Sequence, residues 1–442
     1  MDMELFAQTL TLNLGISQPD NVKLLEMISE KCPMNIIQYE TGRTHNGWGI
    51  PHEWHIDKAL VKQDDKVLFD GTCHFMAVAG SSDSFVGRVT KAELDENVYY
   101  DKEYPHAYRF HTVFNYRPWQ KHWGFCIPWE IYKDFNDGDY DIELETRFEK
   151  GHMVVGEYNH TGKSSDKFVF NAHTCHPCQA NDDMAGVIVI HELFKWLKGR
   201  DTRYSYRGIL AAEHIGTVFY IADLPEEELE TIKQGVFVEM VGAGQTLQLQ
   251  RSFEGDNMVD KLLTQALQEL CPDFNSGAFR TIVGNDETVW EAPGVEIPFA
   301  SLSRWPYVEY HLSDDNIDIM DVDYLNQSLE VLKLLVDILE SDFIPVRKFK
   351  GLICLSNPEI DLYIEGHDPA IPREFSHLEK ELRRVQDALP RYFDGKHSVF
   401  EIALKFGISY KILRNYLQKW VDKDLLEERE IPGMDWYDRN KE

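Results

Sequence analysis

The sequence predicts an α/β protein built on a mixed, mainly parallel sheet flanked by helices, with a small β-rich insert and a helical C-terminal module. Two observations predict it. From Asp139 to about Asp342, short apolar runs alternate with amphipathic stretches of helical period, as in a parallel sheet covered by helices. After Pro345 that alternation stops, and three short helical segments follow.

Taken in order, residues 4–14 and 21–31 carry apolar side chains at helical spacing. From Trp54 to Tyr132 the texture is short β-prone runs broken by Gly, Pro, Asp and Ser, which reads as the insert. In the alternating region the expected strands are 167–171, 206–211, 235–239 and 296–302, and the expected helices 184–198, 217–222, 257–269 and 322–340. Two capping boxes, Ser376/Glu379 and Ser398/Glu401, mark helix starts near the end. A turn at Gly407 then joins two short helices in the helix-turn-helix manner. The expected division is 1–53 with 133–345 as the catalytic part, 54–132 as the insert, 346–375 as a linker and 376–442 as the helix-turn-helix module.

With 442 residues the chain exceeds one ordinary core, and a formal charge of −30 disfavours nucleic acid or an anionic membrane as main partner of the whole chain. Asp2 and Glu4 stand where a secretory signal would be basic, and apolar runs reach nowhere near the ~18 residues of a membrane span. Seven scattered cysteines, an odd number, argue against a disulfide framework, so the expected location is the cytoplasm.

Active sites of open α/β sheets gather beyond the carboxyl ends of the strands. The expected strands end in chemistry-bearing residues. The first runs into His173, Cys175, His176, Cys178, Asp182 and Asp183; the second ends at Glu213-His214, the third at Glu239; the fourth leads to Tyr310-His311 and Asp314-Asp315. Imidazoles and carboxylates are the ligands of catalytic zinc. Asp182 suits a bridging ligand, and Glu213 suits the proton-taking base, because neighbouring side chains on a strand diverge and leave His214 free to bind metal. Cys175 and Cys178 also fit a structural zinc site or redox pair, but the remaining cysteines supply no second pair.

The order of these pieces resembles the co-catalytic zinc aminopeptidases. Their Asn-Asp-Asn-x-Ser-Gly motif is matched by Asn181-Asp182-Asp183-Met184-Ala185-Gly186, their Glu-Glu pair by Glu213-His214, and their Asp-Met-Val-Gly by Glu239-Met240-Val241-Gly242. Their last ligand, in a Tyr-His context, is matched by Tyr310-His311, and Gly294-Val295-Glu296-Ile297-Pro298 resembles the run leading to the adjacent strand. The departure is at the first motif, His-x-Asp, where His173-Thr174-Cys175 lacks the aspartate and leaves the first ligand between His176 and His173, with His176 preferred. Trp123-Gly124-Phe125-Cys126-Ile127-Pro128 and the Cys-His-Pro at the site resemble a bacterial branch of that family. Members of the branch carry a small insert and a C-terminal winged helix-turn-helix, and often accompany polysaccharide biosynthesis proteins.

The resemblance implies an aminopeptidase or related amidohydrolase with one or two zinc ions held by His176, Asp182, His214, Glu239 and His311. Glu213 would be the general base, and a small peptide or amide the substrate. Arg304, Trp305 and Tyr307, just before His311, are expected to line the pocket. A sugar-amide deacylase is the nearest variant, and a ligand-sensing regulator acting through the helix-turn-helix is the alternative of another class. The C-terminal module holds 13 Lys plus Arg against 13 Asp plus Glu, not the balance of a strongly basic domain. Lys411, Arg414 and Lys419 keep DNA open as a partner; packing on its own enzyme or contacts between subunits is the commoner use of such a module.

Overall fold

Parallel strands covered on both faces need apolar side chains at consecutive positions, not alternate ones. In the computed structural model, which describes residues 1–111, 113–365 and 377–439, four such runs lie side by side and point the same way. Lys167–His173 lies between Ser205–Ala211 and Ile232–Val238, and Phe299–Ser303 follows Ile232–Val238. Nearly all of their residues are buried. Antiparallel pairing adds His152–His160 and Asn35–Glu40 at one edge and Gln248–Gln250 at the other, where Asn275–Gly277 completes an eight-stranded sheet.

Side chains leave a strand alternately to its two faces. Phe168, Phe170, Val236 and Val238 enter one core with the helices Ala185–Leu197, Met258–Leu270 and Val322–Ser341. Val169 and Phe237 enter the other, beneath Ile215–Asp223. The expected strands and helices of this region are found, with ends shifted by a few residues. Among the described residues no helix is long and apolar enough to cross a membrane.

A second, antiparallel sheet runs in the order Lys66–Asp70, Glu53–Gln63, Asp139–Glu149, Phe85–Thr90. It has a core of its own, including Val61, Phe125, Ile142 and Leu144. This moves one expected boundary. The run beginning at Asp139 was assigned to the main sheet, but it buries only alternate residues, Tyr140, Ile142 and Leu144, as an antiparallel strand with one wet face does. The small sheet therefore ends at Glu149, and the main sheet resumes at His152–His160.

The C-terminal helices are His377–Val385, Val399–Phe406 and Tyr410–Asp422. Ser398 and Glu401 form the expected capping box, whereas Ser376, half of the other expected box, lies outside the described residues. Gly407, at φ +57°, ends its helix in the left-handed conformation that glycine adopts without penalty. The strand that follows, Leu426–Arg429, pairs with Ile344–Arg347, the segment leaving the helix Val322–Ser341. What the wing of a winged module would use for its own hairpin serves here as a seam to the rest of the chain. Arg414 is likewise turned inward: it donates to the Ser341 carbonyl at 2.9 Å and to Gln418 at 2.7 Å, and pairs with Glu428 at 3.1 Å.

Asp342 sits buried in this seam. Its Oδ1 accepts the amides of Phe343 and Phe400, at 3.0 and 2.9 Å, and its Oδ2 accepts the Tyr437 hydroxyl at 2.9 Å. Burial outweighs these hydrogen bonds and pushes the carboxyl up to about 7. A carboxyl raised in the folded state stabilises most at acid pH, and its contribution is lost as pH rises through about 7. Urea denaturation from about pH 5.5 to about pH 8.5 is expected to show the wild type losing more stability than Asp342→Asn, which has no proton to release. Equal slopes would contradict this role. Asp342→Ala, which strands the Phe400 amide and the Tyr437 hydroxyl, is expected to cost about 2–4 kcal/mol.

Candidate metal centre

The four parallel strands end at one rim of the sheet, at His173, Ala211, Val238 and Ser303. The predicted site residues leave from there. Past His173 the chain enters an irregular turn, Ala180–Met184, in which Asp182 and Asp183 depart from helical geometry; the peptide joining them is cis. Past the other strands, His214, Met240 and His311 take φ values of +53°, +49° and +57°. Residues with side chains enter that left-handed region at a cost of about 1 kcal/mol each, and such positions gather at functional sites.

Asp182 is the centre of the group. Its Oδ1 lies 2.9 Å from His173 Nε2, and its Oδ2 lies 3.1 Å from His176 Nδ1 and 3.2 Å from His311 Nε2. His176 Nδ1 donates to that carboxylate and to the Asp182 carbonyl, which leaves its Nε2 pointing elsewhere, 3.5 Å from Glu213 Oε2. Glu213 Oε1 lies 3.5 Å from His214 Nδ1, and the Tyr116 hydroxyl donates to Glu213 Oε2 at 3.0 Å. His173 and His176, the two alternatives for first ligand, thus both stand against Asp182, one on each oxygen.

Burial would raise the Asp182 carboxyl, but the neighbouring imidazoles, His176 foremost, hold it well below the usual carboxylate range. Glu213 is likewise held low, against burial, by the neighbouring imidazoles of His176 and His214. Glu239 goes the other way: burial first, then the nearby acids Glu287 and Asp183, push it well up. Only its Oε2 is answered, by the Asn285 amide at 2.9 Å. Asp183 is also pushed up by burial; its partners are the amides of His173, Gly186 and Met240.

These residues fit a divalent ion. His173 Nε2, His176 Nε2, His311 Nε2 and Glu239 Oε1 are all buried atoms without a hydrogen-bond partner. The approach of His173 and His311 to Asp182 lacks hydrogen-bond alignment although the atoms are close, as when donors aim at a shared point. Ligand atoms of His176, Asp182 and His311 all lie within 4.8 Å of one another. Orphaned buried groups of this kind are costly unless something binds them.

Comparisons with known proteins bear on the family and the fold. A family profile described as a domain of unknown function, DUF4910, matches residues 4–342. The chain belongs to this family. It is 26% identical over 405 residues to a Clostridium acetobutylicum protein named for polysaccharide biosynthesis and an aminopeptidase-like domain, a match spanning 89% of this chain and 88% of that one. A crystal structure assigned as a peptidase from the same organism superposes with a TM-score of 0.80 at 23% identity, covering 96% of this chain and 95% of that one. A zinc aminopeptidase from Bacillus subtilis superposes with a TM-score of 0.55 at 13% identity, covering 75% and 94%. The fold of this DUF4910 member is therefore aminopeptidase-like.

The remaining expectations for this DUF4910 chain fare unevenly. His214 and Glu239 flank the group: His214 stands against Glu213, and Glu239 is held by Asn285, neither of them against Asp182. Arg304 is corrected from pocket residue to strut: it is 2% exposed, its guanidinium donates to the carbonyls of Val241 and Gln245 and to Gln327, and it lies over the Tyr324 ring. Tyr307 is also structural, since its hydroxyl donates at 2.7 Å to Asp315, whose carboxylate accepts the amides of Asn181 and Asp182 and so holds the ligand turn. Trp305 packs edge-on against Tyr310, which stacks on His311 at 3.9 Å. Cys178 is half-buried and joins no metal-binding group with Cys175 among the described residues.

Sequence reasoning missed several supports. Asp286 accepts the His214 amide at 2.5 Å and the Thr217 hydroxyl, and Glu287 anchors the Asn285 amide. Phe110, from the insert, donates its amide to the His311 carbonyl and sets its ring edge-on to His176 and His311. The run Asn285-Asp286-Glu287 before a short helix was the only local signal, and any capped helix start would give it.

Glu239→Gln supplies a test of the electrostatics. Without metal the variant is expected to be more stable than wild type by about 1 kcal/mol, because a neutral amide replaces a poorly answered buried acid. With zinc added the order is expected to reverse. Thermal unfolding with and without zinc reads both, and a variant stabilised by zinc as strongly as wild type would remove Glu239 from the centre.

Proposed function

We propose that the protein is a zinc-dependent hydrolase of aminopeptidase type that cleaves a peptide or other small amide bond. One observation carries the reading: a buried set of imidazole nitrogens without partners surrounds Asp182, directly beside a carboxylate suited to act as base. One or two zinc ions would be held by His173, His176, Asp182, Glu239 and His311, with His214 at the margin. Zinc, when bound, acidifies a water and polarises the carbonyl to be attacked.

The chain's own groups do the rest. Glu213 is kept as a carboxylate by His176 and His214 despite burial, so at neutral pH it is ready to take the proton of the attacking water. Its side chain keeps 21% exposure, so it can pass that proton to the leaving amine. The Tyr116 hydroxyl on Oε2 fixes the direction of the carboxylate. Phe110 and Tyr310 wall the imidazoles with aromatic surface, with Trp305 behind Tyr310, which excludes bulk water and favours an apolar or planar group next to the scissile bond. The acidity of the chain, at a formal charge of −30, favours a substrate with a free amino group. The name of the Clostridium relative supports an amide on a sugar as the other substrate class to try.

Purified protein is expected to contain zinc and to hydrolyse members of an aminoacyl-anilide and N-acyl-sugar panel, with activity lost to a chelator and restored by zinc. In Glu213→Gln, zinc content is expected to stay at the wild-type level while kcat falls by about 10²–10⁴-fold. Full activity in that variant would discard Glu213 as the base.

A further inference from the structure

Cys175 occupies a point where three parts of the centre meet. It is 2% exposed. Its Sγ lies 3.9 Å from His173 Nδ1, accepts the backbone amide of Glu213 at 3.3 Å, and lies 3.9 Å from the Tyr116 hydroxyl. The other nitrogen of His173, Nε2, is the one beside Asp182 that has no hydrogen-bond partner. An imidazole that gives one nitrogen to a metal needs an acceptor on the other to fix its tautomer and the tilt of its ring. That acceptor is ordinarily a carboxylate, a carbonyl or a water. In this chain the atom found there is a sulfur.

We propose that Cys175 is a positioning residue of the zinc centre, its sulfur lying outside the coordination sphere. The inference rests on the zinc reading above. The sulfur takes the Nδ1 hydrogen of His173, which directs Nε2 to the metal, and the same atom takes the Glu213 amide, which fixes the backbone that presents the base. Ligand placement and base placement are thereby tied to one side chain. Cys178 has no share in this.

The rival geometry, in which the sulfur itself binds metal together with His173 and His176, whose ligand atoms and the sulfur also lie within 4.8 Å of one another, is separated by spectroscopy. Cobalt-loaded wild type is expected to lack an intense sulfur-to-metal charge-transfer band in the near ultraviolet. Such a band, lost in Cys175→Ala, would overturn the proposal by making the sulfur a ligand. Zinc affinity measured by chelator competition is expected to fall by about 10–100-fold in Cys175→Ala and to recover to within about threefold of wild type in Cys175→Ser, whose oxygen accepts the same hydrogens. Recovery by serine separates this role from simple filling of space, and serine keeps the experiment informative where alanine fails to fold. Wild-type affinity in Cys175→Ala would overturn the proposal and leave the zinc reading standing. Failure of the wild type to take up zinc or cobalt would overturn both.

Discussion

A carboxyl removed from water must find compensating positive charge or hydrogen-bond donors, or give up its ionisation, and the rim of this sheet is organised around that constraint. Asp182 and Asp183 are neighbours, both buried, with opposite fates. Imidazoles surround Asp182 and keep it ionised; Asp183 takes its hydrogen bonds from backbone amides, and burial outweighs them and the nearby His173. One residue faces the imidazoles as an anion. The other turns inward and ties the ligand turn to the strand ends at His173 and Met240. The irregular turn between them lets adjacent side chains do both.

Support for the centre comes from places that sequence proximity does not suggest. Asp286 and Asn285, on a loop between the sheet's edge strands and its last parallel strand, brace the Glu213-His214 turn and Glu239. Asp315 braces the Asp182 turn from the far side, with Tyr307 behind it. The insert contributes Phe110 and Tyr116 from outside its strands, so it is part of the site and not an ornament on it.

Much of this was legible in the sequence. Strands such as Lys167–His173 announce themselves because burial on both faces demands continuous apolar residues, and the rule that sites lie beyond parallel strand ends then picks out Asp182, Glu213, Glu239 and His311. The antiparallel strand Asp139–Glu149 was misplaced because a half-wet strand beside a long loop carries no mark of which sheet it joins. Arg304 was misread because a cation near a site looks the same in sequence whether it faces substrate or carbonyl oxygens. The roles of Cys175 and Tyr116 depend on distances across the fold, and those exist only once the chain has closed.

The pairing of Leu426–Arg429 with Ile344–Arg347 bears on how the chain is made. Synthesis delivers every metal-binding candidate, the last being His311, well before it delivers the strand that seals the edge at Ile344–Arg347. A ribosome still translating the helices after Arg347 would display the main sheet with one apolar flank open. Phe343, Ile344 and Leu339 would be exposed there to chaperones, or to another nascent chain, until the tail arrives.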